Sequence, residues 1–174
     1  MGTPGEGDMK TKILCLVGRS NTGKTTLIER LIPLLAAKGI TVATIKHHEQ
    51  PFEIDYEGKD THRHKKAGAK TAMIVSSQRL AMVKDLDETL TIEEIAGRYA
   101  GDVDLVIVEG YKAAELPKIE VYNIREDLPP VAEKDKDLMA LVTDSPIPAS
   151  VPVFSRDDIE AIASFIIGRF GLKK

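Results

Sequence analysis

The sequence predicts an α/β fold, in which a mainly parallel sheet carries helices on both faces. Short apolar runs rich in β-branched residues recur along the chain, and segments with apolar residues at helical spacing separate most of them. Within residues 69–84 two such runs follow each other directly, which predicts an antiparallel hairpin attached to the parallel sheet. A length of 174 residues suits one domain with one core.

The predicted elements begin after residues 1–10, which we expect to be a disordered leader, so that residues 11–174 form the domain. Strands are predicted at 12–17, 40–46, 70–77, 79–85, 102–110, 118–124, 138–144 and 152–155, and helices at 25–39, 61–69, 90–100 and 158–170. Residues 47–60 are polar and are expected to be a long functional loop. Residues 125–137 are expected to be a solvated connection whose alternating charges need no function.

The first and last helices carry recognisable end signals. Pro33 lies inside the pattern of the first helix and predicts a kink or an early break, and Gly39 predicts its end. Asp157 or Asp158 is expected to cap the last helix. The apolar face of the first helix is predicted to consist of Leu27, Ile28, Leu31, Leu34 and Leu35.

Composition and charge argue against several classes of protein. The net charge of -3 and the lack of a long basic stretch argue against nucleic acid as a main partner. The apolar runs are far shorter than the roughly 20 residues that a membrane helix needs. The single Cys15 lies in a strand pattern and is expected to be a buried, inert thiol, which fits the reducing cytoplasm.

A phosphate-binding loop is predicted at residues 18–25, which match the pattern G-x-x-x-x-G-K-[ST] between a strand and a helix. In such a loop, backbone N–H groups and the positive end of the helix hold the phosphates. Lys24 is expected to reach the β- and γ-phosphates. The sequence therefore predicts a P-loop NTPase fold, with a phosphate-binding set of Gly18, Asn21, Thr22, Gly23, Lys24, Thr25 and Thr26.

A metal site is predicted beside this loop. Thr25 is expected to place its hydroxyl on Mg²⁺, and Glu109, at the carboxyl end of the strand LVIVE, is expected to bind the metal directly or through water. Asp60 is either a third carboxylate of that site or the N-terminal anion of the helix that follows it. Lys46 ends the second strand at the same crevice as a phosphate or partner contact, and Asp104 is expected to be structural.

The nucleobase is harder to predict because the guanine-reading motif N-K-x-D does not occur. Asp144 ends a strand where its carboxylate would accept the N1–H and N2–H₂ donors of guanine. The competing interpretation is that Asp144 belongs to a turn before Ser145 and Pro146.

Two further groups of residues have a functional and an ordinary interpretation. The four histidines either form a transition-metal site or are exposed loop and helix residues. They are His47, His48, His62 and His64, and their spacing favours the second interpretation. Arg19 in the loop is either an arginine finger across a dimer or an exposed arginine.

These motifs together resemble the MobB family of molybdopterin-guanine dinucleotide biosynthesis adaptor proteins. The stretches that carry the resemblance are GRSNTGKTTLIERLIPLL, TIKHH, EGKDTHRHKKAGA, DLVIVEGYK and PVFSRDDIEAIASFI. The family belongs to a wider group of dimeric P-loop proteins that includes dethiobiotin synthetase. In that group a P-loop threonine, a loop aspartate and a V-E-G glutamate surround Mg²⁺, and they correspond here to Thr25, Asp60 and Glu109.

The resemblance implies GTP binding with slow hydrolysis, a homodimer, and a partnership with MobA, the enzyme that attaches GMP to molybdopterin. The leading hypothesis is therefore a GTP-binding adaptor that delivers GTP or molybdopterin. Two alternatives stay open: a small-molecule kinase that uses the basic segment HRHKKAGAK as a lid, and a metal-insertion GTPase that uses the histidines.

Overall fold

The computed structural model describes residues 11–123 and 128–173, and the predicted leader lies outside them. The chain divides into two compact units, one formed by the described residues of Met1–His47 and Ile92–Lys174 and the other by His48–Thr91. In chain order the elements are β1 (Lys12–Val17), α1 (Lys24–Ala37), β2 (Val42–Lys46), α2 (Asp60–Lys66), β3 (Thr71–Val75), β4 (Leu80–Lys84), α3 (Ile92–Tyr99), β5 (Leu105–Glu109), β6 (Lys118–Val121), β7 (Leu138–Val142), β8 (Val153–Phe154) and α4 (Ile159–Phe170).

The first unit is built on a six-stranded sheet in the order β2-β5-β1-β6-β7-β8, and every neighbouring pair is parallel. The predicted parallel sheet is thus confirmed. β1 lies inside the sheet, between β5 and β6. In the described part of the chain, no helix combines the length and apolar character needed to cross a membrane.

Side chains along β1 point alternately to the two faces of the sheet, and each face carries its own hydrophobic core. Leu14 and Leu16 pack in a cluster with residues of α1 and α4, whereas Cys15 packs on the opposite face with residues of α3. Helices therefore cover both faces, as predicted. Cys15 is fully buried, and this burial raises the pKa of its thiol to about 11.

The helix ends follow the sequence signals, with one exception at Pro33. The expected early break there is wrong, because α1 continues to Ala37. Pro33 is exposed, so the backbone hydrogen bond that it cannot make is lost on the solvent side, while Leu31 and Leu35 anchor the buried side. α1 ends before Gly39, whose φ is +78°. At α4, the Asp158 carboxylate accepts a hydrogen bond from the Ala161 N–H at 3.2 Å and caps the helix.

The second unit contains α2 and the predicted hairpin of β3 and β4. Val75 pairs with Leu80, and the Ser76 N–H donates to the Arg79 carbonyl at 2.8 Å, which closes the turn. The hairpin is antiparallel as predicted. β3 and β4 form a two-stranded sheet of their own.

The connection after β6 is not simply solvated, contrary to expectation, although its residues 125–127 lie outside the described part. The side chain of Lys118 is fully buried, and its ammonium lies 3.0 Å from an Asp135 carboxylate oxygen and donates to the carbonyls of Ala114 and Leu116. The charged residue Asp135 of this connection is therefore the counter-ion of a lysine inside the fold.

Glu120, two residues after Lys118 on β6, contacts the same connection. Its carboxylate accepts hydrogen bonds from the N–H groups of Val131 and Ala132 at 2.7 and 2.8 Å. Burial raises the pKa of Glu120, and these two backbone donors partly offset that effect. Two buried charges on one strand thus fasten residues 131–135 to the sheet.

The Lys118–Asp135 pair predicts a pH-dependent contribution to stability. Burial alone would raise the pKa of Asp135, but the Asp137 N–H and the Lys118 ammonium outweigh burial and hold it below its usual value. Because the pKa in the folded state is the lower one, the contribution is present above the unfolded pKa of about 3.9 and is lost as pH falls through the folded pKa. Asp135→Asn should cost roughly 1.5–3 kcal/mol near pH 7.

Urea denaturation at about pH 7 and about pH 3 measures this effect. The difference between the parent and Asp135→Asn should shrink at the lower pH. Glu57→Gln is the matched control, because Glu57 forms an exposed pair with Lys66 at 3.6 Å that should contribute less than about 1 kcal/mol. Equal stability of parent and Asp135→Asn at neutral pH would contradict the assigned role of the pair.

Candidate functional site: a phosphate-binding loop and an adjoining carboxylate

The loop between β1 and α1 needs glycine at both of its ends. Gly18 has a φ of +142°, and a Cβ there would overlap the carbonyl oxygen of Val121 in β6. Gly23 has a φ of +92° and immediately precedes α1. Asn21 has a φ of +60°, a conformation that asparagine tolerates better than most residues. The loop therefore wraps tightly against the sheet edge before it enters the helix.

Lys24 folds back over this loop. Its ammonium donates to the carbonyls of Gly18 at 3.2 Å and Arg19 at 2.6 Å. Burial lowers the pKa of Lys24, Glu109 opposes this, and the positive charges of Lys112 and Lys46 lower it further. A partly desolvated cation beside two other cations favours the binding of an anion.

Thr25, Glu109 and Lys46 come together at the carboxyl edge of the sheet, as predicted. β1 pairs with β5 so that Leu16 lies opposite Glu109, and β2 pairs with β5 so that Lys46 lies opposite the same residue. The Thr25 hydroxyl lies 3.1 Å from each carboxylate oxygen of Glu109. The Lys46 ammonium lies 3.6 Å from Glu109 and is largely exposed.

The oxygen donors at this position fit Mg²⁺. Magnesium in nucleotide sites is held by one or two carboxylates together with phosphate oxygens and water. Thr25 and Glu109 would hold it here, and the metal would supply positive charge to the phosphates. Across residues 11–123 and 128–173, no group of three or more His, Cys, Asp or Glu side chains is arranged to hold a metal ion.

Asp60, the other predicted metal ligand, belongs to the second unit. It is the first residue of α2, and its exposed carboxylate lies 3.6 Å from Arg63 one turn later. This is the position of the N-terminal anion that the sequence offered as one interpretation. Its assignment to the metal stays a prediction.

Asp144 follows β7 and contacts the segment after β8. Its carboxylate accepts hydrogen bonds from the Ser155 hydroxyl at 3.3 Å and the Arg156 N–H at 3.0 Å. The side chain remains more than half exposed, so that its predicted contact with guanine stays a prediction. Asp104, by contrast, is structural as expected, because its carboxylate accepts from the N–H and the hydroxyl of Thr41 before β2.

Sequence reasoning missed Arg156, which contacts the phosphate-binding loop from the far end of the chain. Its guanidinium donates to the carbonyl of Thr22 at 2.7 Å and to that of Tyr122 at 2.6 Å. Lys112, whose charge acts on Lys24, was missed as well. Both residues lie in stretches that carry the family resemblance, but no periodicity or spacing singles them out.

Comparison with known proteins decides the family. The model of the family "MobB: Molybdopterin guanine dinucleotide synthesis protein B" matches residues 13–144. The chain belongs to this family. It is 33% identical over 165 residues to the "Molybdopterin-guanine dinucleotide biosynthesis adapter protein" of Escherichia coli K12, covering 92% of this chain and 94% of the relative. The Haemophilus influenzae protein of the same name is 34% identical over 155 residues, covering 88% and 86%.

Solved structures of MobB proteins share the fold. A crystal structure of molybdopterin-guanine biosynthesis protein B superposes with a TM-score of 0.73 at 33% sequence identity, covering 90% of this chain and 99% of the other. The crystal structure of Bacillus subtilis MobB gives a TM-score of 0.71 at 26% identity, covering 88% and 97%. The resemblance inferred from the motifs is therefore confirmed.

The remaining candidates of this MobB family member have contacts within their own chain. Arg19 donates to the Pro129 carbonyl at 3.3 Å. The ring of His47 lies 4.4 Å from that of Tyr111, and His48 approaches the Gln50 carbonyl at 3.0 Å. His62 is buried, contrary to the expectation of an exposed helix residue, because α2 packs on β3 and turns this side chain inward.

Glu109→Gln tests the predicted metal ligand. The substitution keeps the size of the side chain and a partner for the Thr25 hydroxyl but removes the anion. Nucleotide binding should lose most of its dependence on Mg²⁺, which calorimetric titrations with and without Mg²⁺ measure. Glu93→Gln, on α3, is the control and should leave the dependence unchanged. An unaltered Mg²⁺ dependence in Glu109→Gln would remove Glu109 from the metal site.

Proposed function

We propose that this MobB family member is a GTP-binding adapter in molybdopterin-guanine dinucleotide biosynthesis. It binds Mg²⁺ and GTP, assists a MobA nucleotidyltransferase in attaching GMP to molybdopterin, and hydrolyses GTP slowly. The family and the name of the Escherichia coli and Haemophilus influenzae relatives support the pathway. The nucleotide and the metal are inferences from the site, and the partner is what the family resemblance implies.

The observation that carries the proposal is the contact between Thr25 and Glu109 beside Lys24. The site combines a hydroxyl at the start of a helix, a carboxylate at a strand end and a lysine folded over the glycine loop. Groups of this kind hold a Mg²⁺–triphosphate group. The three lysines Lys24, Lys46 and Lys112 outnumber the two carboxylates, Glu109 and Glu120, that act at this position, so its surroundings are net positive. This balance favours an anionic ligand over a neutral one.

The surroundings of the loop favour slow hydrolysis. Fast phosphoryl transfer needs a positioned nucleophile and usually a cation on the charge that develops in the transition state. Glu109 is engaged with Thr25 and Lys46, the His47 ring stacks against Tyr111, and Arg19 donates to Pro129 of its own chain. Such a site binds nucleotide and leaves turnover low until a partner completes it.

A homodimer is part of the proposal. The hairpin exposes apolar side chains on both of its faces, among them Met73, Ile74, Val75 and Leu80. Contiguous exposed apolar side chains often mark an interface between proteins. Their presence supports self-association, and a mass of one chain in sedimentation equilibrium at micromolar concentration would contradict it.

Lys24→Ala tests the nucleotide assignment. Removal of a charge-assisted contact to the phosphates should weaken GTP binding by about ten- to a hundredfold. Calorimetry with GTP and ATP measures both the loss and the preference for guanine. Lys38→Ala is a matched control at the other end of α1, where Lys38 pairs with Glu160 at 3.4 Å. Equal GTP affinity in the parent and Lys24→Ala would contradict the assignment of this loop to nucleotide binding.

Steady-state hydrolysis separates an adapter from a free-standing enzyme. The purified protein should hydrolyse GTP far more slowly than about 1 s⁻¹, the lower range of ordinary enzymes. In the presence of MobA and molybdopterin, the protein should increase the rate at which GMP is attached to molybdopterin. Turnover at or above that rate by the protein alone would contradict the adapter role and favour an enzyme such as the small-molecule kinase.

A further inference from the structure

Arg156 joins three segments that end at the same edge of the sheet. It lies between β8 and α4, and its side chain is about three-quarters buried. One terminal nitrogen donates to the carbonyl of Thr22 in the phosphate-binding loop and the other to the carbonyl of Tyr122 after β6. Its third nitrogen, Nε, lies 3.3 Å from a carboxylate oxygen of Asp144 after β7.

The contact with Thr22 determines the direction of a loop amide. In a planar trans peptide the carbonyl and the following N–H point in opposite directions, and the described residues contain no cis peptide. Because the Thr22 carbonyl points to Arg156, the N–H of Gly23 points to the opposite side of the loop. Backbone N–H groups of such a loop are its phosphate donors.

The neighbours of Arg156 hold it in this position. Asp144 accepts from the Arg156 N–H at 3.0 Å with one carboxylate oxygen, and its other oxygen lies 3.3 Å from Nε as an ion pair without a hydrogen bond. Arg30 on α1 donates to the carbonyl of Arg156 at 3.0 Å and pairs with Asp157 at 3.1 Å. Gly23 also leaves room for the guanidinium, since a Cβ there would lie 3.1 Å from Nη1.

We propose that Arg156 is a positioning residue for the phosphate-binding loop, which turns the Gly23 N–H toward the bound phosphates and is itself oriented by Asp144. The proposal rests on the proposed function, since it presupposes that the loop binds phosphates. It assigns Asp144 a role on the phosphate side of the site. Loss of Arg156 then weakens binding of any ligand that carries the phosphate chain, whatever its base.

Inorganic tripolyphosphate is the probe that separates loop positioning from base reading, because it has no base. The full chain is titrated with GTP and with tripolyphosphate, both with Mg²⁺, in the parent and in Arg156→Met. Affinity for both ligands should fall by about tenfold. Arg169→Met removes an exposed arginine from the last turn of α4, at the opposite end of that helix from Arg156, and should change either affinity less than twofold. Arg156→Lys retains one donor and should be intermediate.

A rescue experiment excludes a general loss of stability. Guanidinium at low millimolar concentration should restore tripolyphosphate affinity to Arg156→Ala and leave that of Arg169→Ala unchanged. Thermal unfolding of each variant shows that it is folded at the temperature of the titration. Parental affinity in Arg156→Met, or no rescue of a folded Arg156→Ala, overturns the proposal. If the parent itself binds neither ligand, the proposed function fails instead.

Asp144→Asn tests the second part of the proposal. If Asp144 orients Arg156, the substitution weakens tripolyphosphate as well as GTP, because the charge beside Nε is lost. A loss confined to GTP, together with improved binding of xanthosine triphosphate, overturns the orienting role. That result would indicate base reading, since an amide can donate to the xanthine O2 where a carboxylate accepts from the guanine N2 amine.

Discussion

The parallel pairing of β1 with β5 and β6 is the constraint on which the site depends. Parallel strands deliver their carboxyl ends to one edge of the sheet, so the loop that leaves β1 begins beside the ends of both neighbours. Glu109 ends β5 opposite Leu16, and Val121 ends β6 where it contacts Gly18. A side chain at position 18 has no space there, and the loop consequently starts with glycine.

Charge compensation distinguishes Lys118 from Lys24. Lys118 is fully buried, but the Asp135 carboxylate and two backbone carbonyls satisfy its ammonium within the fold. Lys24 is only partly buried and donates to loop carbonyls, while two further lysines act on it. A buried charge is stable when it is paired and hydrogen-bonded. The first lysine thus anchors a connection, and the second remains suited to an incoming phosphate.

The last segment of the chain completes the first unit at the same edge. β8 is only two residues long, yet it places Ser155 and Arg156 against Asp144. Arg30 and Asp157 then link this segment to α1, the helix that begins at the phosphate-binding loop. β1 and the segment after β8 therefore both support the phosphate-binding loop. Loss of the Arg156 side chain is expected to change the orientation of the backbone at Thr22.

The sequence alone was sufficient to predict β1, the glycine loop, α1 and the meeting of Thr25 with Glu109. Local apolar patterns identify buried strands and helix faces, and parallel pairing of such strands brings their ends together. The sequence also located the hairpin and limited the cap of α4 to Asp157 or Asp158. These predictions succeed because the information lies within a few residues of each element or follows from the fold class.

The tertiary structure alone decided which polar residues would meet where neither a motif nor a strand end brings them together. Arg156 contacts Thr22 across 134 positions, and Lys118 reaches Asp135 through a connection that looks like an ordinary solvated loop. His62 is buried although its neighbours in sequence are polar and charged. Periodicity in the sequence shows which face of an element is apolar. A contact between polar groups depends instead on the order and register of the strands that carry them. The packing of the whole sheet sets this arrangement.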